Sequence, residues 1–101
     1  MIHVVAQVQV KDGKRDEFLT EFRSMIPAVL GEAGCVEYGP MIDAETDIER
    51  QHTDSSVVTI IEKWESLDDL KAHLVAPHML AYRERVTDLV ASAKLTILRP
   101  A

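Results

Sequence analysis

The sequence predicts an α+β fold, one antiparallel sheet with helices on one face, and three features carry that reading. Ile2, Val4, Ala6, Val8 and Val10 recur with the period of two that marks a strand. Phe18, Leu19, Phe22, Met25, Ile26, Val29 and Leu30 recur at helical spacing, which stacks them along one side of a helix. The later segments then complete the order strand, helix, strand, strand, helix, helix, strand.

Strand β1 covers Ile2–Val10, and Lys11-Asp12-Gly13 breaks it. Helix α1 runs to about Leu30, where Gly31 or Gly34 can supply a left-handed stop. Pro27 removes one backbone donor inside the pattern and is expected to bend the helix without dividing it. Strand β2 spans Cys35–Ile42, with Gly39-Pro40 pointing to an edge position or a bulge. Asp43–Ser56 is polar and aperiodic, a long solvated connection in which His52 faces water.

Strand β3, Val57–Trp64, carries Val57, Val58, Ile60 and Ile61 on both faces, so both faces are expected to be buried. Ser66-x-x-Asp69 is a capping box with the shorter acid. It opens helix α2, whose stripe is Leu67, Leu70 and Leu74 and whose end is set by Pro77. Pro77 also fits the first turn of helix α3, with Met79, Tyr82, Val86, Leu89 and Val90 as its buried side. Lys94–Arg99 closes the chain as a short strand β4. This is the split β-α-β pattern of ferredoxin-like domains. Helices cover one side of such a sheet only, so apolar residues pointing to the other side predict a two-fold homodimer with sheets face to face.

Length and charge narrow the function. The 101 residues suffice for one domain and one core, spanning 1–101. Acids outnumber bases 17 to 11, a formal charge of −6, which removes the electrostatic basis for a nucleic-acid partner. The N-terminus lacks the pattern of a signal peptide and no apolar run is long enough for the membrane, so a cytoplasmic protein is expected. The single cysteine, Cys35, has no internal partner and reads as an inert thiol at a strand start.

The residues able to carry chemistry gather between 62 and 82. Glu62 and Trp64 are two apart on a strand and therefore share the face of Val58 and Ile60. A carboxylate among apolar neighbours must be paired, solvated or protonated, and a Lys or Arg at the end of the sheet is its plain partner. His73 lies at the border of the α2 stripe, four residues after Asp69, where a simple helix pair competes with a role as general base. Imidazoles titrate near neutral pH, which makes His73 the best base candidate. His78 falls in the first turn of α3, where the positive end of the helix dipole disfavours an imidazolium, so it is expected to stay neutral and serve as a hydrogen-bond partner. His73 and His78 are five apart across a helix break, not the one-face spacing of a zinc helix, so no metal site is expected. Gly-rich phosphate loops and nucleophile elbows are absent.

Gly34-Cys35-Val36-Glu37-Tyr38, then Glu62-x-Trp64, Leu70, His73 and Pro77-His78-Met79, resemble the antibiotic biosynthesis monooxygenase family, in its quinol monooxygenase branch. The similarity starts at Val8-x-Val10-x-x-Gly13 and runs to the closing strand. It implies a dimeric α+β barrel of ferredoxin-like subunits, each oxidising a small aromatic hydroxyl compound with O₂ and without metal or flavin. Carried over to this chain, Trp64 and Tyr38 would be pocket walls, His73 the base, Glu62 its polar partner or a substrate anchor, His78 a further substrate-binding residue, and Met79 and Tyr82 apolar lining. The chain contains no asparagine, a residue the family's haem-degrading branch relies on, which argues against haem degradation. Asp43–Ser56 is longer than the usual connection and is expected to shape the pocket mouth. Two other functions share the same residues: an isomerase of small hydroxy-ketones using His73 with Glu62, and a dimeric module that binds a ligand without turnover.

Overall fold

In the computed structural model, which describes residues 1–101, the elements follow the expected order: β1 Ile2–Val10, α1 Arg15–Leu30, β2 Cys35–Met41, β3 Val57–Trp64, α2 Leu67–Leu74, α3 Pro77–Val86 and β4 Val90–Leu98. The four strands form one antiparallel sheet in the order β2-β3-β1-β4, and the helices lie on one face, a ferredoxin-like α+β fold. No helix is long and apolar enough to cross a membrane.

The core lies between sheet and helices. Val4, Val8 and Val10 of β1 and Val58, Ile60 and Trp64 of β3 meet Phe18, Phe22, Met25 and Val29 of α1 and Met79, Tyr82 and Val86 of α3. Pro27 stays inside one continuous α1, as expected. The helix stop is sharper than the sequence allowed: Gly31 keeps a right-handed φ of −82°, and Gly34 takes the left-handed φ of +78°. A Cβ at Gly34 would sit 2.1 Å from Asp69 Oδ2, so glycine also lets the start of α2 press against this turn. Asp69 is held there by the capping box, with its amide donating to Ser66 Oγ at 3.1 Å and that hydroxyl donating to Asp69 Oδ2 at 2.9 Å.

Three sequence expectations need correction. Strand β3 is not buried on both faces within one chain; it alternates strictly, with Val58, Ile60, Glu62 and Trp64 buried and Val57, Thr59, Ile61 and Lys63 only partly covered. The helices reach one side alone. Strand β4 begins at Val90, not Lys94, so Leu89 and Val90 lie beyond α3, and the added residues pair through Val8↔Ala93 and Gln9↔Ser92. Small side chains at Ala91, Ser92 and Ala93 give no alternation to read. Strand β2 ends one residue early, at Met41, and its register shifts between Cys35 and Glu37, the irregularity that Gly39-Pro40 had suggested further along.

Asp43–Ser56 is irregular but tied. Gln51 Nε2 donates to the Ala44 carbonyl at 2.8 Å, the Asp54 amide donates to Asp43 Oδ2 at 2.6 Å, and the Val10 amide donates to the Ser56 carbonyl at 2.8 Å. No helix lies over β4, so Leu95, on the same sheet face as Ala6, is 51% exposed. That uncovered margin positions the site.

Candidate active site

An apolar cavity of about 480 Å³ lies between α3 and the β1–β4 side of the sheet. Its floor includes Ala6 and Ala93, alanines on neighbouring strands where larger residues would fill the space. Phe18, Ile60, Met79 and Val86 supply apolar wall, Tyr38, Glu62, His73 and Tyr82 bring polar groups, and Arg83, Thr87 and Lys94 complete the polar part of the lining. A few polar groups in a mostly apolar concavity of this size is the usual form of a small-molecule site.

Each polar group is set by its element. Glu62 and Trp64 share the helix-facing side of β3, and Tyr38 is the cross-strand partner of Glu62 on β2. The last turn of α2 lowers His73 onto them, with its ring centroid 4.6 Å from the Trp64 ring and 5.4 Å from Tyr38. Trp64 Nε1 donates to Glu62 Oε1 at 3.0 Å, and His73 Nε2 stands 3.9 Å from the same oxygen. The lysine or arginine partner open to Glu62 in the sequence is therefore replaced by an indole and an imidazole. Asp69, the helix partner open to His73, is engaged in the capping box instead.

The other ring nitrogen of His73 meets a residue that sequence reasoning missed. Nδ1 lies 2.9 Å from Glu32 Oε2, and His78 Nε2 lies 2.8 Å from the same oxygen. A carboxylate only accepts, so both ring nitrogens donate, which assigns the Nδ1–H tautomer to a neutral His73 and leaves the lone pair on Nε2. No buried side-chain nitrogen or oxygen lacks a partner, and Nε2 has none within hydrogen-bond distance, so Nε2 is the edge of the ring open to the cavity.

Two expected positions differ from the geometry. Trp64 is fully buried and backs Glu62 and His73 without reaching the cavity wall; His78 stands on the far side of Glu32, also off the wall. The face of a strand is legible from its period, but depth along that face is not. Nor does any residue of 43–56 line this cavity. Glu32 lies in the turn between α1 and β2, 41 and 46 positions from its partners, so no local pattern marks it. The only clue is a lone acid held between two glycines, Gly31 and Gly34.

Burial pushes the Tyr38 and Tyr82 phenols well above the usual tyrosine range, so both stay protonated and able to donate. Burial, then Glu32 and Glu62, raises the Cys35 thiol, which keeps it unreactive. Glu62 is also raised, chiefly by burial, with the Trp64 donor and His73 opposing and Glu32 adding to the rise. Between the ordinary carboxylate range and the raised value, the native state therefore holds a proton on Glu62 more readily than the unfolded chain does. Its contribution to stability is complete below the ordinary carboxylate range and disappears as pH climbs through the raised value. Glu62→Gln removes the titration and keeps an oxygen for Trp64. The variant should be more stable than the parent at neutral pH, with the gap closing in acid; thermal melts across pH check this, and a pH-independent gap would mean that Glu62 titrates normally.

Fold and site together define a ferredoxin-like α+β domain with an imidazole and a carboxyl group facing an apolar, small-molecule-sized cavity. The antibiotic biosynthesis monooxygenase profile matches residues 1–85. The chain is 37% identical over 102 residues to "Probable quinol monooxygenase YgiN" of Escherichia coli strain K12, covering 99% of this chain and 98% of that protein. Among solved structures, a conserved protein from Methanosarcina mazei Go1 superposes with a TM-score of 0.84 at 27% identity, covering 99% of this chain and 92% of that one. Rv0793 from Mycobacterium tuberculosis gives 0.81 at 25%, covering 99% and 94%. The chain belongs to the antibiotic biosynthesis monooxygenase family, an enzyme family of monooxygenases by its description.

Proposed function

We propose that the protein is a cofactor-independent monooxygenase that oxidises a small quinol or related aromatic hydroxyl compound with O₂. One observation carries the reading: the Nε2 edge of His73 opens on an apolar cavity while its Nδ1–H is fixed by Glu32. The name and 37% identity of the E. coli relative support the same substrate class.

The chemistry balances without an added redox group. The quinol O–H breaks and its proton goes to His73 Nε2. The resulting quinolate is electron-rich enough to reduce O₂, and a ring carbon bonds to one oxygen. The His73 proton passes to the outer oxygen of the resulting peroxide, the O–O bond breaks, and the outer hydroxyl leaves with the ring hydrogen as water while the inner oxygen stays on the ring as a carbonyl. Quinol plus O₂ becomes hydroxyquinone plus water. In this reading the protein supplies the base, an orientation between Tyr38, Met79 and Tyr82, and a site that keeps bulk water away. The Glu62 carboxyl, raised by burial, is suited to donate a hydrogen bond to a developing oxyanion when it holds its proton.

Two copies joined through the open sheet face would cover Val5, Ile61 and Leu98 of each, which the helices leave untouched. The direct test is oxygen uptake with a panel of hydroquinones, with isotope-labelled O₂ traced into product. Uptake with one labelled oxygen in the product is expected. No uptake, with solvent deuterium instead entering a hydroxy-ketone, would replace the reading by an isomerase.

A further inference from the structure

One carboxylate oxygen, Glu32 Oε2, receives two imidazoles, and that arrangement does more than hold His73 in place. A positioning contact needs one histidine. Here His73 is 1% exposed and faces the cavity, Glu32 is 14% exposed behind it, and His78 is 31% exposed at the surface. The contacts use opposite ring atoms: Nδ1 of His73, leaving Nε2 to the cavity, and Nε2 of His78, leaving Nδ1 without a protein partner.

The charge balance follows from the neighbours. The titratable and charged groups around the pair are Cys35 and Tyr38 on β2, Glu62 on β3 and Asp69 on α2, while Tyr82 and Arg83 of α3 and Lys94 of β4 share the cavity that His73 lines. Cys35 and Tyr38 are held neutral by burial, and Asp69 is turned into its capping box. Glu62 lies farther off, 3.9 Å from Nε2, and its carboxyl is raised above the ordinary range by burial. Glu32 is the carboxyl group within hydrogen-bond distance of both rings, and one carboxylate can balance a single positive charge.

We propose that Glu32 couples the protonation of His73 to that of His78, so that a proton taken up in the cavity is matched by one released at the surface. This rests on the reading of His73 as the base. With the charge on His78, His73 is neutral and its Nε2 lone pair is free. When the substrate O–H breaks and Nε2–H forms, the charge moves to His73, and the Nδ1–H of His78 breaks to protonate water. The reverse exchange restores both rings when His73 returns its proton to the bound oxygen. No water has to enter the cavity. Glu32 and His78 are in this sense positioning residues for the charge, acting through His73.

The consequence is a pair of opposite shifts. His78→Gln keeps an N–H for Glu32 but removes the competing cation, so His73 should hold its proton more tightly. Glu32→Gln removes the anion, so His73 should hold its proton less tightly. Each shift should be about one pH unit, a tenfold change in proton affinity and within the usual range for coupled sites. Histidine ring-proton NMR titration of the free protein reads this directly: the His73 midpoint moves up in His78→Gln and down in Glu32→Gln. If His73 titrates at the same pH in both variants and the parent, or moves the same way in both, the coupling is wrong. A contact that merely stabilises the fold would lower the melting temperature in both without opposed shifts. The acid limb of kcat/KM against pH should follow the same two directions, with KM unchanged and Glu32→Asp restoring the parent profile. Absence of activity on every quinol would defeat the proposed function, and the NMR midpoints would still decide the coupling alone.

Discussion

Replacing His73 with alanine should lower turnover of the preferred quinol by about 10²- to 10⁴-fold, the range expected when a general base is removed. His73 is the only imidazole on the cavity wall, so no neighbour can take over the proton. Alanine also empties space beside Trp64 and leaves Glu32 with His78 alone. His73→Gln separates these effects, since its side-chain amide can still donate to Glu32 but cannot act as a base. Both variants should lose turnover alike, while binding of a non-oxidised quinol analogue, read by thermal shift, stays within a few-fold in the glutamine variant. Parent-level turnover in either variant would retire His73 from the role and point to Glu62 or a phenol.

The same residues show what the chain reveals on inspection and what it hides. Strand β1, the α1 stripe, the Ser66–Asp69 capping box and the proline start of α3 are local signals, written within a few residues, and each is found where its pattern lies. That Glu62 and Trp64 share a face with the core is equally local, since it needs only the period of a strand. Glu32 is different in kind. Its role comes from the meeting of a turn with two helices more than 40 residues away, a distance relation that no periodicity encodes. The cavity is hidden for a related reason: it exists because Ala6 and Ala93 fall near each other on paired strands, and β4 had to be placed before that could be seen. Small residues weaken the strand signal and create the space in one stroke.

Trp64→Ala should be the most destabilising substitution in the site, at about 3–5 kcal/mol for loss of a fully buried indole. Set against a typical total of roughly 5–15 kcal/mol, that brings the domain close to unfolding at moderate temperature, a fall in melting point of roughly 12–40 °C for a chain of this size. Denaturant titration measures it. The more informative change is Trp64→Phe, which keeps an aromatic ring against His73 but deletes the Nε1–H that holds Glu62 Oε1. A buried acceptor left without its donor costs about 1–3 kcal/mol. The lost hydrogen bond was lowering the Glu62 carboxyl, so without it the group should titrate still higher. Because Trp64 backs the polar pair and does not reach the cavity wall, the kinetic effect should fall on kcat through Glu62 and His73, with KM for the quinol nearly constant. A raised KM at unchanged kcat would instead make the indole a surface that substrate touches, and the cavity boundary drawn through Glu62 and His73 would have to move outward to include it.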